Sequence, residues 1–255
     1  MKKIFYLIIA MTMCAGNAQA FEYEPEEGLT WMGLFGMNIS KLQNHPYNAK
    51  VGAMMGVRAD YVLPHAHGAY ITAGLDWTMK GGKYSGEFDI ETTVTDPSTG
   101  ETYLVDRTKE YDATGKYNLH YIEVPIRVGF RYNLSDEFGF YGEFGPYFSV
   151  GVGGRHKLTI DGDGPDVRTA EDEGTFKAFK NVENLNKPTF QRWDAGLGFR
   201  IGAEYNQHYN LIIGCDWGLT DMYRNDFRDA YYVQEGTRLP KVHNFNFSIT
   251  AGYRF

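Results

Sequence analysis

One property of this sequence constrains its fold more than any other. After residue 20, apolar side chains recur at every second position in eight separate segments, and no run approaches eighteen consecutive apolar residues. A membrane-spanning helix needs about 20 such residues in a row, whereas a membrane-spanning β-strand needs about ten with only alternate positions apolar. The mean hydropathy of −0.42 resembles that of a water-soluble chain, but averaging over alternating positions conceals strands of this kind.

The last segment illustrates the rule. Phe245, Phe247, Ile249, Ala251, Tyr253 and Phe255 alternate with Asn244, Asn246, Ser248, Thr250, Gly252 and Arg254. In YIEVPIRVGFRY, Ile122, Val124, Ile126, Val128, Phe130 and Tyr132 oppose Tyr121, Glu123, Pro125, Arg127, Gly129 and Arg131. Residues 29–40, 49–61, 70–80, 138–152, 192–205 and 210–220 follow the same pattern, the first of them least cleanly. Eight antiparallel strands can close on themselves, which removes the edges whose unpaired backbone groups lipid does not tolerate.

The links between segments fit closure. LPHAHG, NLSDE and NQH are short, whereas residues 41–49, 81–116, 154–189 and 222–241 form the opposite set of connections, two of them long. Short periplasmic turns and long extracellular loops are the topology of outer-membrane barrels. The expected fold is therefore all-β: an eight-stranded, up-and-down, antiparallel transmembrane barrel formed by residues 21–255. Trp77, Trp193 and Trp217 fall near one end of their strands, and Tyr61, Tyr132, Phe138, Tyr205, Tyr209 and Tyr253 near the other, as two interfacial girdles would.

A soluble sandwich would turn its apolar face inward and its polar face to water. The polar face argues against that. It carries many glycines and nearly balanced charges: Asp60, Asp76, Glu123, Glu143, Asp194, Glu204 and Asp216 against Lys50, Arg58, Lys80, Arg127, Arg131, Arg192, Arg200 and Arg254. Such balance suits a confined interior, and eight strands leave a lumen only wide enough for side chains to fill. The expected site is thus a charge network of Arg58, Asp60, Asp76, Glu123, Arg127, Arg131, Glu143, Asp194, Arg200, Glu204, Asp216 and Arg254, with a narrow or gated pore as the alternative.

Residues 1–20 read as an export signal: Lys2 and Lys3, an apolar stretch from Ile4 to Met13, then Ala18, Gln19 and Ala20 before the cut. Cys14 allows a lipoprotein signal, although Met11, Thr12 and Met13 fit one poorly. Cleavage leaves Cys215 as the single cysteine, so no internal disulfide is available.

The remaining candidates are weaker. Residues 86–111 alternate on either side of Asp96, Pro97, Ser98, Thr99 and Gly100, which predicts a hairpin extending two strands beyond the membrane. Asp161, Asp163 and Asp166 cluster as in a calcium loop, but Asp166 stands where an EF-hand needs glycine. His45, His65, His67, His156 and His243 join no nucleophile at meaningful spacing, which argues against the further alternative of an outer-membrane hydrolase. No cofactor or metal is implied, and the net charge of −7 does not suggest a nucleic-acid partner.

Tyr121-Ile122-Glu123-Val124-Pro125, the GMNIS of the first segment and the closing AGYRF resemble the PorT-like family of small Gram-negative outer-membrane barrels. The resemblance covers nearly all of residues 21–255. It implies the barrel fold and an outer-membrane location, while the apolar stripe makes outer-membrane lipid the expected partner, beside an unspecified extracellular ligand. Ala251, Tyr253 and Phe255 are similar to the terminal signal read by the barrel-assembly machinery. The expected state is a monomer without enzymatic activity.

Overall fold

The computed structural model describes residues 28–43, 48–95, 102–161, 174–179, 181–182, 187–188, 190–236 and 238–255. Strands β1 (Gly28–Gln43), β2 (Lys50–Val62), β3 (Ala69–Thr95), β4 (Thr102–Asn133), β5 (Phe138–Asp161), β9 (Trp193–Tyr205), β10 (Tyr209–Gly218) and β11 (His243–Arg254) pair antiparallel, each with its neighbours in that order. Closure comes from β1 and β11, which pair from Met32↔Arg254 to Gln43↔His243. The first and last strands are thus paired with each other, which closes the ring.

The turns at one end are tight for identifiable reasons. Asn206 and Gln207 both adopt positive φ, 50° and 59°, between paired Tyr205 and Tyr209. Positive φ at both central residues gives the turn whose twist matches the flanking strands. His65 and His67 also adopt positive φ in the link between β2 and β3. In the third turn, the Ser135 hydroxyl accepts the Phe138 backbone N–H at 3.1 Å.

Alternation fixes which face meets lipid. Val124, Ile126 and Val128 of β4 are 40, 45 and 63% exposed, while Arg127 between them is 3% exposed. The apolar stripe therefore faces outward, and the charged stripe is enclosed.

At the other end the hairpin expected over residues 86–111 is present: β3 and β4 stay paired from Gly81↔Asn118 to Thr95↔Thr102, its expected turn residues 96–100 lying outside the described residues, and β5 follows β4 as far as Asp112↔Asp161. Short strands β6 (Gly174–Lys177), β7 (Asn181–Val182) and β8 (Lys187–Pro188) lie between β5 and β9. Between β10 and β11 sits helix α1 (Asn225–Glu235), closed by Gly236 at φ 70°, whose N–H bonds to the Tyr232 carbonyl. That left-handed glycine is an ordinary helix stop. This helix lies within the connection expected over residues 222–241. The proposed signal segment with Cys14, together with His45, Asp163 and Asp166, lies outside the described residues.

Candidate functional site

The lumen is lined with buried charges. Seven acids (Asp60, Asp76, Glu123, Glu143, Asp194, Glu204, Asp216) and seven bases (Lys50, Arg58, Lys80, Arg127, Arg131, Arg200, Arg254) are buried on the barrel strands. All twelve residues expected for the network are among them. Arg192 is a correction: it precedes β9, where strand alternation no longer sets direction, and it is exposed, donating to the Gly151 carbonyl at 3.0 Å with its guanidinium over the Phe179 ring.

Three clusters follow one another along the axis. Nearest the short turns, Asp60 is shared by Arg254 at 3.3 Å, Arg131 at 3.5 Å and Arg58 at 3.7 Å. Glu204 pairs with Arg254 and, at 3.8 Å, with Arg131. Glu143 takes Arg58 at 3.1 Å and the Tyr70 hydroxyl at 2.7 Å. The Arg58 and Arg131 guanidinium groups lie 5.6 and 5.1 Å from the ring centres of Tyr141 and Tyr70, respectively. Such faces attract cations. Glycine makes this packing possible: a Cβ at Gly129 would collide with the Tyr70 ring, and one at Gly202 with Tyr141.

The middle cluster centres on Asp216, held by Arg200 at 2.8 Å and approached by Arg127 at 3.7 Å. Asn38 donates to Asn246 at 2.6 Å, and Asn246 in turn points to Asp216 at 3.4 Å. Asp76 does not join by contact, because no base comes within ion-pair distance of it among the described residues. Its register partner is another acid, Glu123.

The outer cluster is built on Lys80, which alternation placed inside but whose central role it did not reveal. Lys80 is fully buried, with Nζ 2.8 Å from Glu123 and 3.1 Å from Asp194, and 4.4 Å from the centre of the Tyr147 ring. Asp194 also accepts from Tyr147 at 3.3 Å and from Asn244 at 2.9 Å. Buried charges persist only when paired and hydrogen-bonded in this way.

Above Lys80 the filling turns apolar. Leu42, Leu119, Tyr121, Ala178, Phe179, Phe190, Met222, Tyr223 and Val242 form one buried cluster. Tyr121 meets Phe179 edge-on at 5.9 Å, and Phe190 stacks on Tyr223 at 5.6 Å. Higher still, His156 stacks on Tyr117 at 4.2 Å and lies 3.0 Å from the Tyr84 hydroxyl. Burial lowers the pKa of this imidazole to about 4, so the neutral ring is the form that packs here. Beside the apolar plug, an open cleft of about 360 Å³ is lined by Phe179, Phe190, Arg192, Trp193, Arg224 and Asp226, among others.

This plug was the part that sequence reading missed. Its one local signal is parity: Tyr121, Leu119 and Tyr117 continue the inward positions of β4 beyond Glu123. The histidines are dispersed: His65 and His67 lie on a turn, His156 is in the aromatic stack, and His243 Nδ1 is 3.1 Å from the Thr220 carbonyl. Asp161 ends β5, and no group of metal-ligating side chains converges among the described residues.

The sequence matches the family described as outer membrane protein beta-barrel domain over residues 17–224. No curated protein matches it. Among solved structures, it is similar to Ail, the attachment invasion locus protein of Yersinia pestis, at 13% identity and TM-score 0.37, covering 90% of this chain and 100% of that one. Neisserial surface protein A gives 11% identity and TM-score 0.39, covering 91% and 100%. OprG from Pseudomonas aeruginosa gives 12% identity and TM-score 0.33, covering 91% and 98%.

Proposed function

This chain belongs to the outer membrane protein beta-barrel domain family, and we propose that it works as a closed, non-enzymatic barrel whose extracellular end does the binding. The observation that carries this reading is the double seal: Lys80 held between Glu123 and Asp194, with the apolar cluster of Leu119, Tyr121, Phe179 and Met222 directly above. An ion entering from outside would have to displace both. Removing one partner of a buried pair leaves the other charge stranded, at a cost of about 3–5 kcal/mol. The charge network is then a structural core, and function falls to the β3–β5 extensions, α1 and the cleft at Arg192 and Arg224.

On the same reading the barrel is PorT-like, on the resemblance of its YIEVP stretch, whose Tyr121, Glu123 and Pro125 face the lumen. Residues 1–20 act as a cleaved export signal, Tyr253 and Phe255 are recognised by the barrel-assembly machinery, and the protein is a monomer in contact with outer-membrane lipid.

A narrow gated path is the second reading. What favours it is the middle cluster, where Arg127 Nε and Nη2 and Asp76 Oδ1 are buried without a protein hydrogen-bond partner, the kind of polar group that water serves. Planar-bilayer recordings of the folded protein separate the two. A sealed lumen gives no discrete conductance steps; steps that persist in purified, folded protein and change in Asp76→Asn would establish the channel instead.

A further inference from the structure

Along β3, β4 and β5 the lipid-facing stripe changes chemistry in a fixed order. Leu75, Val124 and Phe148 give way to Trp77 and Trp193, which share one register row through Ile122 and Val150. Farther out come Lys83, Lys116 and Lys157. These three stand directly opposite one another on adjacent strands, and all are exposed. Like charges facing each other across strands destabilise a sheet. No carboxylate pairs with any of the three among the described residues, and in a chain of net charge −7 composition does not force such a row.

Lys50, on the lumen side of the same wall, adds positive charge behind this row. It is 2% exposed, and its Nζ has no hydrogen-bond partner. Asn48, two residues earlier, exchanges backbone hydrogen bonds with Lys83 at 2.6 and 3.1 Å. Lys116 and Lys83 are the charges that repel Lys50 most strongly.

Position identifies the anion's carrier. Trp77 to Lys83 is about 20 Å along a strand rising roughly 3.3 Å per residue, or about 15 Å along the membrane normal at a tilt near 40°. Lysine stems can reach back several ångströms toward the interface. This is the depth of a large, sugar-bearing headgroup, above the roughly 5–8 Å that a simple phospholipid headgroup occupies. The row also continues the stripe that already faces acyl chains.

We propose that Lys83, Lys116 and Lys157 bind the phosphorylated headgroup of an outer-leaflet glycolipid whose acyl chains lie against Leu75, Val124 and Phe148. The inference rests on the outer-membrane placement and not on whether the lumen conducts. It is tested by titrating the full folded chain in detergent with bisphosphorylated lipid A, with the same lipid dephosphorylated, and with inorganic phosphate. The expected result is saturable binding of the phosphorylated lipid alone, weakened about fivefold for each lysine replaced, hence about a hundredfold in Lys83→Gln/Lys116→Gln/Lys157→Gln. Equal binding of the dephosphorylated lipid, undiminished binding by the triple variant, or phosphate binding as tight as the lipid's would each overturn the proposal. An unchanged heat-modifiability shift in the variants separates loss of the site from loss of the barrel.

Discussion

Strand β4 runs through two environments, and its polarity reverses between them. In the membrane half, Val124, Ile126 and Val128 point outward, and Glu123, Arg127 and Arg131 point inward. In the extracellular half, Leu119 points inward and is fully buried, whereas Lys116 points outward and is exposed. β1 turns over the same way, with Ile39 exposed to lipid, then Lys41 outward and Leu42 buried. Both halves obey one rule: the less polar side faces the less polar neighbour. Where the surroundings change from acyl chain to water, the apolar face changes sides, so the membrane boundary is written in the fold. It also explains the two kinds of filling, since a lumen walled off from lipid by strands can hold charges only as a paired network, while the water-exposed half can build an ordinary apolar core.

The sharpest way to break this contrast is at the junction. Lys80→Met should cost about 3–5 kcal/mol in urea unfolding from lipid vesicles, because Glu123 and Asp194 are left facing each other in a buried site. Adding Glu123→Gln and Asp194→Asn should recover most of that loss, and failure to recover it would mean the charges are not the reason. The next effects come as a pair. Leu119→Ala, in the extracellular core, should cost about 3 kcal/mol by cavity formation, and Ile126→Lys, on the lipid face, about 2 kcal/mol or somewhat more. The first penalty should persist when the barrel is moved to a thinner bilayer, and the second should shrink.

The smallest effect concerns pH and only the extracellular half. The His156 pKa is lowered from 6.5 to about 4 in the fold. Between those values the unfolded chain binds a proton that the folded chain does not, so this group's contribution to stability is intact near pH 7 and declines as pH falls from about 6.5 toward 4. The hydrogen-exchange protection factors at Tyr84, Tyr117 and His156, taken relative to the intrinsic rate at each pH, should fall across that window in the wild type and not in His156→Phe.

Much of the barrel was legible because a period of two is a local signal: it needs no knowledge of what a strand pairs with, only that one face meets lipid. The same parity assigned the twelve network residues to the interior. It could not say which would touch, and Asp76 lacks a contacting base because pairing depends on height along the axis, which strand stagger sets. Parity also failed at one definite place. A bulge opposite His120 and Tyr121 inserts a residue in β5 between Gly151 and Gly153. Beyond it inward and outward exchange, so His156 enters the aromatic stack and Lys157 faces out, the reverse of what simple alternation along β5 gives. The apolar plug was hidden for another reason. Phe179, Phe190, Met222 and Val242 come from connections whose approach is decided by closure of the whole ring. Helix α1 did carry a signal, the glycine that stops it.

The reversal itself is tested most directly by single cysteines in a Cys215→Ala background, with the barrel folded in lipid vesicles. A membrane-impermeant maleimide should label Lys116→Cys and Lys83→Cys rapidly and leave Ile126→Cys and Leu119→Cys unmodified, while a lipid-borne quencher should reach a probe at Ile126→Cys but not one at Leu119→Cys. Rapid aqueous labelling at Ile126→Cys, or lipid quenching at Leu119→Cys, would contradict the account.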